Sequence, residues 1–545
     1  MAVWLALRQS SQRGLMGTTP ICFYENGQIW TGDPSTPWAN ALVVANERLF
    51  AVGERRELGW LRARADKIVD LENHLVLPGF NDAHLHAFEG GKSLLEIDLR
   101  TVKSIPDLKE HVRDYAARLA DGDWITGGNW DHQNWGGHPF PDRRMLDEAA
   151  GSRPALLFRV DWHVAVANSA ALRAAGIDRN TPDPPGGEIE RDSHGEPTGV
   201  LKDAAAELVL SVVPEPTDER LKEILRAALS EAARYGVTSY QDNVTVRQFR
   251  VYQELARAQE LKVRVNCWFP LSELEQLTEL NLERNFGNPW LQIGTVKLFA
   301  DGSLGAGTAY FFDAYADRPG YRGLLTMSET DLEKAIGTVH KAGLQAAVHA
   351  IGDAANALVL DIFERLGTTP TRRHRIEHAQ TIRDSDLPRF ARLGVVASVQ
   401  PVHAVDDLRW AHRKIGERIR QSYRIASFLR NGVQVAFGTD WPVASLNPML
   451  GLEAATSRQM LNLEGTSAVN GSGGHETISV EQAVRLYTEG SAFAQGREHE
   501  KGTLAPGKLA DFVVLDRNVF NCEPGELRSA QVLMTVVGGE IVHES

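Results

Sequence analysis

Between residues 77 and 440, short apolar runs of strand character recur eight times, most of them separated by stretches of helical period. The runs are 77–86, 238–242, 263–269, 294–301, 345–351, 373–379, 395–401 and 434–440, with helical patterns such as 221–235 and 331–342 between them. A helix between two strands carries the chain back to its starting edge, so the strands run parallel, and eight such units close into a (β/α)8 barrel. Gly343, Gly394 and Gly432 each follow a helical stretch, where a residue with left-handed backbone ends a helix. The expected fold class is therefore α/β, with a TIM barrel over residues 77–499.

The flanks read differently. Residues 21–52 and 67–77 alternate strand-like runs with turns at Asn26-Gly27 and Asn46-Glu47, and 502–515 and 532–543 repeat the pattern at the other end. Separated β segments around an α/β middle imply a small β-sandwich domain built from both termini, 17–76 plus 500–545. Residues 1–16 are expected to be a disordered tail. The first strand-to-helix connection swells into 122–207, too long for a bare loop, and at the barrel rim it would act as a lid-like insert. Its Trp124, Trp130, Trp135 and Trp162 either line a substrate pocket or form the insert's own core.

Composition narrows the partners. A net charge of −13, dispersed along 545 residues, argues against nucleic acid or an anionic membrane. No apolar run approaches the ~20 residues of a membrane span. Cys22, Cys267 and Cys522 are an odd number, far apart, as in a reducing cytoplasm. A small-molecule substrate is expected, and a homodimer is left open.

The chemistry concentrates at the strand ends. Strand side chains alternate faces, so His84 and His86 (DAHLH) point the same way. At the mouth of a first barrel strand they would form half of a metal cage; elsewhere they would be surface or helix-capping residues. Lys297 lies in a stave otherwise apolar, where an ammonium is costly unless paired. Either it pairs with a carboxylate such as Asp301, or it loses its proton and captures carbon dioxide as a metal-bridging carbamate. His349 and His378 end the fifth and sixth runs, as metal ligands or as hydrogen-bonded rim residues. Asp440 ends the eighth, as a ligand or general base, or as the N-cap of a following helix begun by Pro442.

This order of H-x-H, fourth-strand Lys, fifth- and sixth-strand His and eighth-strand Asp resembles the amidohydrolase superfamily. The terminal APGKLADFVVLD is similar to that family's C-terminal strand. The motifs GGNWD, RVDWHVAVANSAAL, VKLFADGSLG, HAIGDAA, RIEHAQ and FGTDWPV resemble the subgroup that includes N-substituted formamide deformylases. The resemblance implies metal ligands at His84, His86, Lys297 (carboxylated where two ions bind), His349 and His378, and a catalytic Asp440. It implies one or two Zn2+ ions and hydrolysis of a non-peptide, amide- or formamide-like C–N bond by metal-activated water, with Asp440 as general base and acid. Trp130, Asp161, His163 and His403 are the candidate substrate contacts. The chain departs from the subgroup at Ala306-Gly307, where an arginine is common, and at Trp162, where a small residue is common. The same barrel also supports ester, lactone or phosphoester hydrolysis, and a non-catalytic regulatory homologue is the remaining alternative.

Overall fold

A computed structural model describes residues 20–120, 122–135, 140–159, 164–184, 186–407, 410–458 and 476–545. Eight parallel strands follow one another in chain order around a nearly closed barrel. They are Phe80–Leu85, Val237–Asn243, Arg264–Pro270, Leu291–Phe299, Gln345–Ala350, Arg375–His378, Val396–Val399 and Val435–Phe437. Closure is made beyond the last strand: Asp440 N donates to His84 O (2.7 Å) and His86 N to Trp441 O (2.8 Å). A TIM barrel with both chain ends in a flanking sheet is thus the observed architecture.

The connecting helices follow from local sequence. Ser328 caps Glu329–Lys341 by accepting from Asp331 N, and Leu332, Ile336 and Val339 recur at helical spacing on its buried face. Acidic residues fill its first turn, basic ones its last, and Gly343 follows at φ 76°. Among the described residues no helix is long and apolar enough to cross a membrane. All three cysteines are free thiols.

The first barrel strand begins later than its apolar run suggested. Leu75–Pro78 does not continue into the barrel but pairs with Cys22–Trp30 and Phe512–Leu515 in the terminal sheet. Gly79 makes the break, since a Cβ there would lie 2.1 Å from Thr238 Oγ1. The terminal strands form one eight-stranded hydrogen-bonded sheet, curled so that Arg48 bridges Leu509. Alternation gives it two apolar faces. Tyr24, Leu42, Val76 and Phe512 share one cluster, while Phe23, Ala41, Val43 and Leu61 share another. The buried pair of Arg264 on the third barrel strand with Asp511 (2.7 Å) ties sheet to barrel.

Residues Phe88–Ala228 form a compact unit of their own, within which the 122–207 insert falls. It holds a six-stranded sheet and two apolar clusters. Trp130 is fully buried in one of these clusters, and its indole N–H donates to Leu157 O (2.9 Å). Core packing therefore accounts for this ring, which presents no face to a substrate. Trp135 joins the same cluster, and Trp124 packs against the other.

Beneath the barrel, His374 Nδ1 accepts from Ala346 N (3.0 Å), which leaves its Nε2–H for His340 Nδ1 (2.9 Å). Both rings are therefore neutral. Burial above all, with the neighbouring His340 ring and the Arg372 and Arg284 guanidinium groups adding to it, pushes the His374 pKa down to about 3. An unfolded imidazole titrates near ~6.5, so the unfolded chain takes up the proton first as pH falls. This site's contribution is complete above that pH and declines below it, by about 2 kcal/mol at pH 5. Urea unfolding at pH 7.5 and pH 5 should show that increment of pH dependence in the native chain and its loss in His374→Gln.

Candidate active site

His84, on the first barrel strand, and His86, just after it, face the mouth with ring centroids 5.5 Å apart. Asp440 Oδ1 lies 3.1 Å from His86 Nε2 and 3.6 Å from His84 Nε2. Asp440 takes φ 57°, and the backbone crosses the first strand so closely that a Cβ on Gly438 would meet His84 N at 2.6 Å. The helix after this loop begins at Pro448, capped by Asn447, so Asp440 is not an N-cap. His378, also at positive φ (70°), has its ring 5.4 Å from that of His84 and 4.5 Å from that of His349. Two non-glycine residues in left-handed backbone at one mouth are the kind of strain that functional sites hold.

Lys297 is buried, and its Nζ lies 3.0 Å from His84 Nε2. It does not pair with Asp301, whose carboxylate accepts from the backbone N–H groups of Tyr310, Ile351 and Gly352. Burial lowers the Lys297 pKa to about 8, against the opposing pull of Glu377 and Asp440. Burial likewise lowers His84 and His349 to about 4 and His378 well below its ordinary value. Burial pushes Asp440 up, but the imidazoles of His84, His86, His378 and His403 outweigh it and hold the carboxyl well below the usual range. The site thus presents the neutral imidazoles of His84, His349 and His378 beside the ionised carboxylate of Asp440.

Several residues at this site carried no expectation from the sequence. Glu377, fully buried, lies 2.9 Å from His84 Nδ1 through Oε2. Arg375, also fully buried, donates to Glu377, Gln241, Ser398 and the Ala83 carbonyl, and its guanidinium lies over the Trp268 ring. Gln400 Oε1 is 2.9 Å from His378 Nδ1. With Nδ1 of His84 and His378 facing carbonyl or carboxylate oxygens, each ring carries its proton there and keeps an Nε2 lone pair for the mouth. The signal for Arg375 and Glu377 was the one that singled out Lys297: charge inside a buried stave.

His403 sits on helix Pro401–Asp407 after the seventh strand, its ring 6.3 Å from that of His378. Asp407, four residues on, accepts from Gln380 (3.0 Å) and from the Tyr423 hydroxyl. A cavity of about 510 Å3 opens over the cluster, with Phe299, Leu304, Ile351, Trp410 and Val443 as its apolar wall. Of the remaining candidate substrate contacts, Trp130 belongs to the separate compact unit, and Asp161 and His163 lie outside the described residues, as does Trp162.

The ligand atoms of His84, His86 and Asp440 lie within 4.8 Å of one another, as do those of His378, His403 and Asp440. Imidazole nitrogens grouped beside a carboxylate are donors that fit Zn2+ or a similar ion.

The sequence profile described as "Amidohydrolase family" matches residues 67–543. Protein LONG AFTER FAR-RED 3 of Arabidopsis thaliana is 36% identical over 94% of this chain and 90% of its own. The N-substituted formamide deformylase of Arthrobacter pascens is 28% identical over 95% and 97%. Among solved structures, an uncharacterized metal-dependent hydrolase from Pyrococcus horikoshii superposes with a TM-score of 0.79 at 30% identity, covering 93% of this chain and 99% of that one.

Proposed function

The chain belongs to the amidohydrolase family, and from that premise we propose that it is a metal-dependent hydrolase of a non-peptide, amide- or formamide-like C–N bond in a small molecule. The observation that carries this reading is the convergence of His84, His86 and Asp440 ligand atoms within 4.8 Å at the floor of the cavity. The similarity to a formamide deformylase over 95% of the chain supports the choice of bond. His84, His86, Asp440, Lys297, His349 and His378 are the residues that would hold the metal, for which Zn2+ suits the donors best.

A divalent ion there would supply Lewis-acid polarisation of the scissile carbonyl and acidify water. Asp440, ionised at neutral pH, accepts a proton from the attacking water through its carboxylate. As the C–N bond breaks it returns that proton to the leaving nitrogen, so that amide and water give a carboxylic acid and an amine. Glu377 keeps the Nδ1 proton of His84 in place, and Gln400 does the same for His378. The apolar wall around Phe299 and Trp410 would receive a hydrophobic substituent on the substrate. His403 also faces the cavity, within reach of a bound substrate.

The reading is tested by offering the metal-loaded protein N-substituted formamides, simple amides, ureas and carboxylic esters. Formamide or amide turnover that stops on chelation is expected. A preference for esters would overturn the choice of bond, and failure to turn over any of them would overturn the reading. The buried Lys297 amine, held near a pKa of about 8, has the neutral fraction that carbamate formation needs. Elemental analysis at neutral pH should find less bound metal in Lys297→Ala than in the native chain, and equal content with equal rate would exclude a bridging carbamate.

A further inference from the structure

We propose that Asp407 sets the specificity of this cavity by receiving a positively charged nitrogen at the far end of the substrate's substituent, so that the substrate class is an amide or formamide bearing an alkylammonium group. The inference rests on the reading of the cavity as a site of amide or formamide hydrolysis and adds to it a subsite for charge. Three observations carry it. The first is how the carboxylate is held. The Gln380 amide (3.0 Å) and the Tyr423 hydroxyl both donate to Asp407 Oδ2. Oδ1 therefore keeps its acceptor capacity for the cavity that Asp407 lines. A carboxylate largely withdrawn from water is best matched by a charged N–H donor.

The second observation is placement. Tyr423 is a bulky residue in left-handed backbone (φ 54°), and it lines the same cavity as His378 and Asp440, which share that conformation. Its N–H donates to Gln380 O (2.7 Å), its carbonyl accepts from Arg458, and the neighbouring Ser422 Oγ lies 3.0 Å from Thr381 Oγ1. The stretch that leaves the sixth strand at His378 thus also fixes the hydroxyl that orients Asp407. The third is charge. Among the described lining residues Lys297 is the only lysine or arginine, and its Nζ meets His84 at the floor. Burial, the largest influence, raises the Asp407 pKa, while the Tyr423 hydroxyl, His403 and Gln380 lower it. A bound cation lowers it further and stabilises the ionised form. Trp410 lines the cavity too, and aromatic faces suit an organic cation. His403 lies one helical turn before Asp407, ~5.4 Å along the axis. The charged nitrogen therefore sits away from the metal donors, and an alkyl chain against the apolar wall would span the gap.

Two measurements on the metal-loaded full chain at neutral pH test this subsite. Calorimetric titration compares hexylammonium with hexanol, a pair of equal length that differs in charge, and needs no turnover. Steady-state kinetics then compare mono-N-formylhexanediamine with N-hexylformamide. The native protein is expected to favour the charged member of each pair by about 10–100-fold, the worth of a charge-assisted hydrogen bond. In Asp407→Asn that ratio should fall towards one, and Asp407→Glu should restore part of it. A merely structural role would lower both members together and leave the ratio intact, which would overturn the proposal. Where neither variant folds, the native ratios decide: absence of a charge preference in both measurements overturns the subsite, whether or not formamides are hydrolysed. A preference for hexylammonium that Asp407→Asn abolishes, without turnover of either formamide, would uphold the subsite and overturn the choice of bond.

Discussion

Asp440→Asn should lower kcat/KM by about 10²–10⁴ while leaving the fold in place, the range expected when a positioned proton-transfer group is removed. The substitution is nearly isosteric and keeps a side-chain oxygen for His86. The backbone contact from Asp440 N to His84 O does not involve the side chain, so barrel closure survives. What disappears is the negative charge that the surrounding imidazoles stabilise and the basic oxygen that takes the water proton. The measurement is steady-state hydrolysis of the best amide or formamide substrate, beside thermal unfolding of the same samples. A variant that keeps native activity would remove Asp440 from the mechanism.

Arg375→Met carries the largest expected effect on stability, about 3–5 kcal/mol, because it leaves the Glu377 carboxylate buried without its cation. Arg375 and Glu377 are both fully buried, and the guanidinium also binds Gln241, Ser398 and the Ala83 carbonyl. Glu377→Gln acts otherwise. It keeps the volume but weakens the acceptor that holds the His84 proton on Nδ1, and metal affinity should fall about 10–100-fold. The two effects separate in the double variant Arg375→Met/Glu377→Met. Apolar replacement of both partners recovers much of the lost stability, yet affinity stays low, because nothing fixes the His84 tautomer. Urea unfolding and competitive metal titration on the four proteins complete the cycle. Should the double variant bind metal like the native chain, the Glu377–His84 contact has no part in holding the ion.

The barrel was legible in the sequence because its period is simple: eight apolar runs, helices between them, and polar residues at the run ends where the mouth must be. His84, His86, Lys297, His349, His378 and Asp440 stood out because each breaks the apolar pattern of a stave. Arg375 and Glu377 break it too, but lie three residues and one residue before His378, which already accounts for the polar end of that stave, and only the folded structure shows that one reaches Gln241 and the other His84. Gln400 and Asp407 were hidden for another reason. Both are ordinary polar residues, one just before helix Pro401–Asp407 and one at its end, and nothing in their spacing tells that Gln400 faces His378 or that Tyr423 and Gln380 meet at Asp407. The insert's tryptophans could not be assigned between pocket and core, since aromatic content serves both; the Trp130 indole bonded to Leu157 O decides for core. The start of the first stave differs from its sequence reading because Leu75–Pro78 and Phe80–Leu85 form one extended stretch, split between two sheets at a single glycine.

Leu75–Pro78 lies between Cys22–Trp30 and Phe512–Leu515. During synthesis, the strand that completes this middle position leaves the ribosome more than four hundred residues after the one it joins, with the whole barrel made in between. Until then the Leu75–Pro78 edge lacks one neighbour, and the Arg264 guanidinium, buried against Asp511 in the finished protein, lacks its counter-ion. A message cut short before Asp511 therefore yields a flanking sheet with an open edge at Leu75–Pro78 and an unmatched charge on the third barrel strand.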